Sequence, residues 1–179
     1  MLRPPVSFAT ARLAGRKPRL DDGPALFNSY ASDPEVTRYL AWRAYERLEP
    51  LNAFLRECVA NWEKGSGHLP WLLCLKGTDT PIGSIGVTIE GDKAVFGYAL
   101  ARKFWGHGFT AEALKYLVDW SLAQPSLYRA WAFCDVENPA SARVMEKAGM
   151  TREGILRRWH VAPNLGSEPR DCLVYARVK

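Results

Sequence analysis

One stretch of the chain limits its possible folds more than any other. An apolar strand-like run, Ala94 to Ala101, leads into a Gly-x-Gly turn at Gly106 and Gly108. An amphipathic helix is then predicted from about Phe109 to Ala123. The N–H groups of such a turn converge on one point, which also faces the positive end of the helix dipole. Because glycine has no side chain, an anion can reach this backbone, and the stretch predicts a site suited to a pyrophosphate.

The turn differs from two common phosphate-binding motifs. The third glycine of the dinucleotide-binding fingerprint is absent, and the next segment lacks the acidic residue expected at the end of a strand. The Gly-Lys-Ser/Thr ending of a P-loop is also missing. Taken alone, the turn is equally consistent with a plain strand-to-helix connection. Other segments of the chain are therefore needed to distinguish an anion site from such a connection.

The other segments predict an α/β protein. The further strand-like runs are Val6 to Leu13, Leu69 to Leu75, Pro81 to Glu90, Tyr128 to Cys134, Ile155 to Val161 and Cys172 to Val178. Helices are predicted over Leu20 to Ala31, from Asp33-Pro34, over Pro50 to Trp62, and from Asn138 to Gly149. The short turns after residue 69 favour antiparallel strands, and the order requires at least one crossover. We expect one domain, residues 1–179, with a mixed and mostly antiparallel sheet of about seven strands.

Composition removes several classes of protein. Hydrophobic residues make up 47% and charged residues 24% of the 179 residues, which is ordinary for a globular chain. The net charge of +5 suits an anionic ligand, but the basic residues form no long run that would indicate direct nucleic-acid binding. The four cysteines lie far apart without CxxC spacing, so we expect free thiols and no metal site. No apolar leader or bilayer-length run stands out, which predicts a cytoplasmic protein without a membrane partner.

Two separate motifs resemble the GNAT superfamily of N-acetyltransferases. Gly97-Tyr98, the run Trp105 to Phe109 and the helix start at Thr110 resemble its acetyl-CoA-binding motif. The segment from Asn138 to Ser141 matches the family's Asn-x-x-Ser element at the expected distance. The likeness is strong over residues 97–156, and it is greatest to the RimJ/RimL-like branch, which acetylates the amino termini of ribosomal proteins.

This resemblance implies a GNAT fold, with its sheet splayed at the central strands, and a role for each matched residue. The backbone of Tyr98, Ala99 and Leu100 would pair with the pantetheine arm of acetyl-CoA, and Asn138 would hydrogen-bond the same arm. Ser141 would stand near the thiol and protonate the leaving thiolate. The pyrophosphate would be held by Lys103, Gly106, His107, Gly108, Phe109 and Thr110.

The chain also departs from the family's pattern. Val95 stands where a strand glutamate is frequent, and Met145 stands where some relatives carry a tyrosine. Two frequent acid/base groups are therefore missing. The replacement candidates are Asp92, Asp135, Glu137 and His160, or water.

The missing carboxylate bears on the amine that accepts the acetyl group. An α-amine has a reference pKa near 8 and lysine one near 10.4, so a site without a strong base favours the α-amine. A protein or peptide N-terminus, such as that of a ribosomal protein, is the expected acceptor. A small-molecule amine (amino acid, polyamine or aminoglycoside) and a non-catalytic acyl-CoA-binding module are the alternatives. The oligomeric state stays open.

Overall fold

The computed structural model describes residues 3–179, and one eight-stranded sheet runs through most of them. The strands are β1 (Ser7–Ala9), β2 (Leu13–Arg16), β3 (Leu69–Leu75), β4 (Pro81–Glu90), β5 (Lys93–Leu100), β6 (Arg129–Asp135), β7 (Thr151–Val161) and β8 (Pro169–Val178). Their spatial order is β1-β2-β3-β4-β5-β6-β8-β7, and every neighbouring pair is antiparallel except β5–β6. The mixed, mostly antiparallel sheet is confirmed, with one strand more than expected.

Five α-helices flank the sheet within residues 3–179. They are α1 (Gly23–Leu26), α2 (Pro34–Thr37), α3 (Leu48–Lys64), α4 (Phe109–Ala123) and α5 (Pro139–Lys147). The predicted helix over Leu20 to Ala31 is present, but it is wound as a 3-10 turn, then α1, then a π turn. Within residues 3–179 no helix has both the length and the apolar character to cross a membrane.

The additional strand arises at the N-terminal edge. The sequence predicts one strand over Val6 to Leu13, and that prediction is wrong, because this segment folds back as the hairpin β1–β2. Thr10 closes the turn: its N–H donates to the Leu13 carbonyl at 2.9 Å, and its hydroxyl accepts the Leu13 N–H at 3.1 Å. The hairpin tip therefore carries Ala11 and Arg12 out of the sheet.

The sheet opens at its centre because β5 and β6 pair over only three residues each. The parallel contact runs from Lys93 to Val95 on β5 and from Arg129 to Trp131 on β6. β5 continues to Leu100 and β6 to Asp135 without pairing to each other. The two strands enclose a wedge, which is the splayed arrangement expected from the family resemblance.

Apolar side chains pack on both faces of the sheet. The larger cluster joins the sheet to α4 and α5, and Leu114, Leu117 and Met145 are fully buried in it. The smaller cluster packs α1 and α3 against β3 through Leu26 and Leu55. Burial of each such side chain contributes about 1.5–3 kcal/mol. These two layers fix the helices on either side of the wedge.

Candidate active site

A cleft of about 880 Å³ follows the wedge through the molecule. One half lies against the start of α4 and α5, and the other lies under the segment from α1 to α3. Most of the sequence-predicted site residues line it: Tyr98, Ala99, Leu100, Gly106, Gly108, Phe109, Thr110, Asn138 and Ser141. Lys103 and the side chain of His107 do not.

The open edge of β5 carries unpaired main-chain groups. Ala101 donates its N–H to Ile82 at 2.8 Å, which sets the alternation of the β4–β5 ladder. By this alternation the backbone groups of Phe96, Tyr98 and Leu100 face β6. The Phe96 N–H closes the Val95–Trp131 pairing, so its carbonyl and the groups of Tyr98 and Leu100 are left to point into the wedge. The Leu100 carbonyl accepts the indole N–H of Trp105 at 2.7 Å. The Leu100 N–H has no such partner and remains for a ligand.

Ala99 differs from its neighbours in this respect. It stands opposite Ser84, and its backbone belongs to the β4 ladder. The prediction that Ala99 pairs with the pantetheine arm through its backbone is therefore corrected, and Tyr98 and Leu100 are the predicted residues whose backbone groups face the wedge. Because strand residues alternate in both side-chain and hydrogen-bond direction, the three consecutive residues cannot all face the wedge.

The turn before α4 presents a set of free amides. Gly106 and Gly108 have φ angles of +81° and +76°, a region that favours glycine. The first bond into the helix runs from the N–H of Glu112 to the Gly108 carbonyl at 3.0 Å. Among residues 3–179, no protein acceptor is found for the amides of residues 106–111. A Cβ added to Gly106 would meet nothing within 4 Å, so the space that these amides face is open.

Two predicted phosphate ligands point elsewhere. Lys103 sits in the 3-10 turn between β5 and α4, which directs its ammonium over the Phe104 ring at 5.1 Å and toward a separate small cavity. The prediction that Lys103 holds the pyrophosphate is therefore corrected, because its side chain does not line the cleft. The His107 ring folds back on the protein, with Nδ1 2.9 Å from the Trp105 carbonyl, and stacks on Phe109. Only the amide of His107 remains for an anion.

Arg12 is a cation beside this turn that the sequence did not reveal. Its Nη1 donates to the His107 carbonyl at 2.9 Å, and its guanidinium lies over the Phe109 ring at 4.6 Å. Glu112 anchors it, with Arg12 Nε 2.7 Å from Oε2 and the Thr10 hydroxyl 2.6 Å from Oε1. The hairpin tip thus holds the glycine turn in shape. Close to 100 residues separate the partners along the chain, so no local pattern could indicate the contact.

Asn138 and Ser141 open α5 at the other side of the wedge. The Asn138 Oδ1 accepts the Ser141 N–H at 3.1 Å and caps the helix, which leaves the Nδ2 donors for a ligand. The Ser141 hydroxyl lies 2.8 Å from the Tyr98 hydroxyl. Burial is the largest influence on Tyr98 and raises the pKa of its phenol, although the Ser141 hydrogen bond opposes the rise. The phenol therefore stays protonated and forms a neutral hydroxyl pair with Ser141.

The four residues that could replace the missing base differ in whether they line the cleft and whether they are bound to another side chain. Asp92 lies in the β4–β5 turn and does not line the cleft. Asp135 and Glu137 line it, but Arg170 binds both, with Nη2 3.1 Å from Asp135 Oδ1 and 2.7 Å from Glu137 Oε2. His160 lines the cleft beside Phe133, and burial lowers its pKa.

The two positions that depart from the family pattern carry no base. Val95 is apolar, and Met145 is fully buried in the core. Cys134 is also unsuited to act as a nucleophile, because burial raises the pKa of its thiol to about 11. Among residues 3–179, no group of His, Cys, Asp and Glu side chains could hold a metal ion.

Comparison with known proteins agrees with this geometry. The acetyltransferase (GNAT) domain family matches residues 12–151. An uncharacterised N-acetyltransferase, p20 of Bacillus licheniformis, is 32% identical over 163 residues, which is 86% of each chain. The chain therefore belongs to the GNAT acetyltransferase family, and it is an acetyl-CoA-dependent N-acetyltransferase.

Two solved structures share the fold at low identity. Microcin C7 self-immunity acetyltransferase MccE, in complex with acetyl-CoA and AMP, superposes with a TM-score of 0.84 at 20% identity, over 94% of this chain and 93% of that one. RimL, a ribosomal L7/L12 alpha-N-protein acetyltransferase in complex with coenzyme A, gives 0.82 at 22% identity, over 97% and 96%. The open β5 edge and the uncovered amides of residues 106–111 fit the cofactor that these proteins bind.

Proposed function

We propose that this enzyme acetylates the α-amino group of a peptide or protein N-terminus. The observation that carries the proposal is that the half of the cleft under α1–α3, which we name the acceptor half, holds no carboxylate among residues 3–179 that is both buried and without an ion-pair partner. Asp135 and Glu137 are both bound to Arg170, and Glu35 is exposed. RimL, which shares the fold, is named as an α-N-protein acetyltransferase.

The amine itself explains why a weak base suffices. Only a neutral amine can attack, and on the order of a tenth of an α-amine is neutral at pH 7. For lysine that fraction is lower by over two orders of magnitude, a penalty of about 3–4 kcal/mol. An enzyme with no free carboxylate at the attack point therefore suits an α-amine.

The walls of the acceptor half are apolar and aromatic. The Trp42 and Tyr45 rings lie with their centroids 5.3 Å apart at an interplanar angle of 33°, and they line the cleft together with Tyr30 and Phe54. Because Arg170 pairs with Asp135 and Glu137, Glu35 is the one carboxylate among the cleft-lining residues of 3–179 that is left for a polycation such as a polyamine or aminoglycoside. These walls favour an acceptor with apolar groups near its amine.

The described residues divide the chemistry among them. Acetyl-CoA supplies the acetyl thioester, and the wedge-facing N–H of Tyr98, which lies beyond the segment paired with β6, is placed to hydrogen-bond its carbonyl oxygen. As the amine nitrogen bonds to the carbonyl carbon, it releases one proton, the C–S bond breaks, and the sulfur takes the Ser141 hydroxyl proton. Tyr98, hydrogen-bonded to Ser141, can return a proton to that oxygen. Asn138 Nδ2 and the β5 edge hold the pantetheine arm in line.

A matched set of acceptors tests the proposal by thiol release from acetyl-CoA. One peptide has a free N-terminus and no lysine, and its partner has a blocked N-terminus and one lysine. The first should show kcat/KM about 100-fold higher at pH 7. Preference for the lysine peptide, for spermidine or for an aminoglycoside would contradict the proposal. Acetyl-CoA binding without thiol release for any amine would indicate the non-catalytic module.

A further inference from the structure

We propose that His68, at the start of β3, is the group that takes the proton from the attacking amine. The proposal requires acetyl transfer to an amine but not the α-amine preference proposed above. It is carried by the position of the imidazole over a gap in the β4–β5 floor of the acceptor half.

The His68 ring lies directly over Gly86 of β4. A Cβ built on Gly86 would stand 2.3 Å from Cε1 and 2.5 Å from Nε2 of the imidazole. Any larger residue at position 86 would displace the ring. The glycine therefore lets an imidazole from one strand reach over its neighbour, into the floor of the cleft.

The next position along the floor is also bare. Gly86 is in register with Gly97 of β5, and a Cβ on Gly97 would meet nothing within 4 Å. Adjacent strands are separated by about 4.8 Å. An amine above Gly97, beside the wedge-facing groups of Phe96 and Tyr98, is thus within reach of Nε2 directly or through one water.

A neighbouring hydroxyl can fix the required tautomer. Thr88, which stands next to Gly86 on the same face of β4, has its Oγ1 3.4 Å from His68 Nδ1. A proton on Nδ1 can point to this hydroxyl, which leaves the lone pair on Nε2. Nε2 is the ring nitrogen over Gly86 and toward Gly97.

The surrounding groups keep the imidazole uncharged at neutral pH. His68 is exposed on the side of the cleft, and desolvation of the ring on its protein side lowers its pKa, while Glu57 of α3 opposes the shift. Burial raises the pKa of Tyr30, Tyr45 and Cys58, so these neighbours in the acceptor half are neutral too. The other charged or titratable groups lining the cleft are Glu35, Arg38, Tyr39, Tyr98, Cys134, Asp135, Glu137, Arg143, Lys147 and His160.

The proton step balances without a further reactant. The amine nitrogen forms its bond to the acetyl carbon and becomes positively charged, and one N–H proton passes to Nε2. The C–S electron pair leaves with sulfur, which is protonated from Ser141. The imidazolium then returns its proton to solvent as the acetylated product leaves, and the Ser141–Tyr98 pair regains from solvent the proton that it gave to sulfur.

Replacement of His68 by glutamine, which hydrogen-bonds but accepts no proton in this range, tests the proposal. The assay uses whichever amine is fastest, over pH 5.5 to 9, and His160→Gln, which removes the other imidazole that lines the cleft, is measured beside it for comparison. We expect His68→Gln to lower kcat about 100-fold, at the low end for a general base, and to leave the Kd for acetyl-CoA unchanged. The loss should shrink for amines of lower pKa, which a purely structural role would not produce.

The pH profile provides a second readout. Wild-type kcat/KM needs a neutral amine and a neutral imidazole, so its logarithm should fall with a slope approaching two below the His68 pKa, and with a slope of one in the variant. Gly97→Ala, whose Cβ enters open space, keeps the fold and should lower kcat by filling the gap. A His68→Gln enzyme within threefold of wild type with an unchanged slope would overturn the proposal, as would the same loss in His160→Gln.

Discussion

The Tyr98 hydroxyl lies 2.8 Å from the Ser141 hydroxyl, and this contact joins β5 to the first turn of α5 across the wedge. It sets a half-buried phenol behind the serine that faces the cleft. The pair can pass a proton toward the point where a thiolate would leave, and both hydroxyls are neutral before that transfer.

Removal of the serine hydroxyl should slow the chemical step. We expect Ser141→Ala to lower kcat by 10- to 100-fold, while the Kd for acetyl-CoA changes less than threefold, because the hydroxyl acts on the leaving sulfur. Tyr98→Phe should lower kcat less, and the double variant should resemble Ser141→Ala, since the phenol acts through the serine. Steady-state kinetics of the three variants check this. Additive losses would show that the two hydroxyls act separately.

The glycine turn offers a comparison between two residues of equal backbone geometry. Gly106 and Gly77 both have a φ of +81°, and a Cβ on either meets nothing within 4 Å. Alanine at either position should cost a similar amount of stability, about 1–2 kcal/mol. Only Gly106→Ala should weaken acetyl-CoA binding, by tenfold or more, since Gly77 lies in the β3–β4 turn. Calorimetric titration and thermal unfolding separate the two effects, and equal affinities in both variants would count against the turn as the phosphate site.

The contact of Arg12 with Glu112 predicts a pH-dependent stability. Burial would raise the pKa of Glu112, but hydrogen bonds from Thr10 and Arg12 outweigh it and lower that pKa below its usual value of 4.5. A lowered carboxyl pKa stabilises the fold above the unfolded-state value, and this contribution disappears as the pH falls through the folded-state value. Glu112→Gln should therefore cost about 1–2 kcal/mol at pH 7, and the difference from wild type should vanish toward pH 3.

Asp119 provides the control for that experiment. It lies on the same helix, and its side chain is 46% exposed beside Arg177. Asp119→Asn should change the unfolding free energy by less than about 1 kcal/mol. Chemical denaturation from pH 3 to 7 measures both variants, and equal effects would mean that the hairpin contact contributes nothing particular.

The cysteines should be unreactive in the folded protein. All four are free and buried, and burial raises the thiol pKa of Cys58 to about 12 and of Cys134 and Cys172 to about 11. At pH 8 a disulfide reagent should therefore modify fewer than one thiol in the native state and four in denaturant. Rapid native modification of Cys134 would require an accessible thiolate in the cleft.

Local sequence patterns were sufficient for much of the fold and for the cofactor side of the site. The strand, glycine turn and helix around Gly106 form from adjacent residues, and the cap at Asn138 precedes a proline by one position. In both places the physical signal lies within a few residues, so the sequence alone could reveal it. The β1–β2 hairpin was missed because its turn contains no glycine or proline. The turn is closed instead by the hydrogen bond that the Thr10 hydroxyl accepts from the Leu13 N–H.

The contacts that the sequence could not indicate are those between distant segments. Arg12 reaches the glycine turn only because β2 and α4 pack together, and His68 reaches over Gly86 only because β3 and β4 are in register. Lys103 has the charge of a phosphate ligand, but the 3-10 turn that directs it away has no distinctive composition. The sequence therefore indicated which residue types could bind the cofactor, whereas the direction of each side chain could be known only from the fold.

Amide chemical shifts in a labelled protein test the central claim most directly. Titration with coenzyme A is compared with titration by pantetheine, which lacks the diphosphate. We predict that coenzyme A shifts the amide signals of residues 106–111 and of β5, whereas pantetheine shifts only the amide signals of β5 and of the start of α5. If coenzyme A binds and leaves the amides of residues 106–111 unmoved, the glycine turn is not the diphosphate site and the account is wrong.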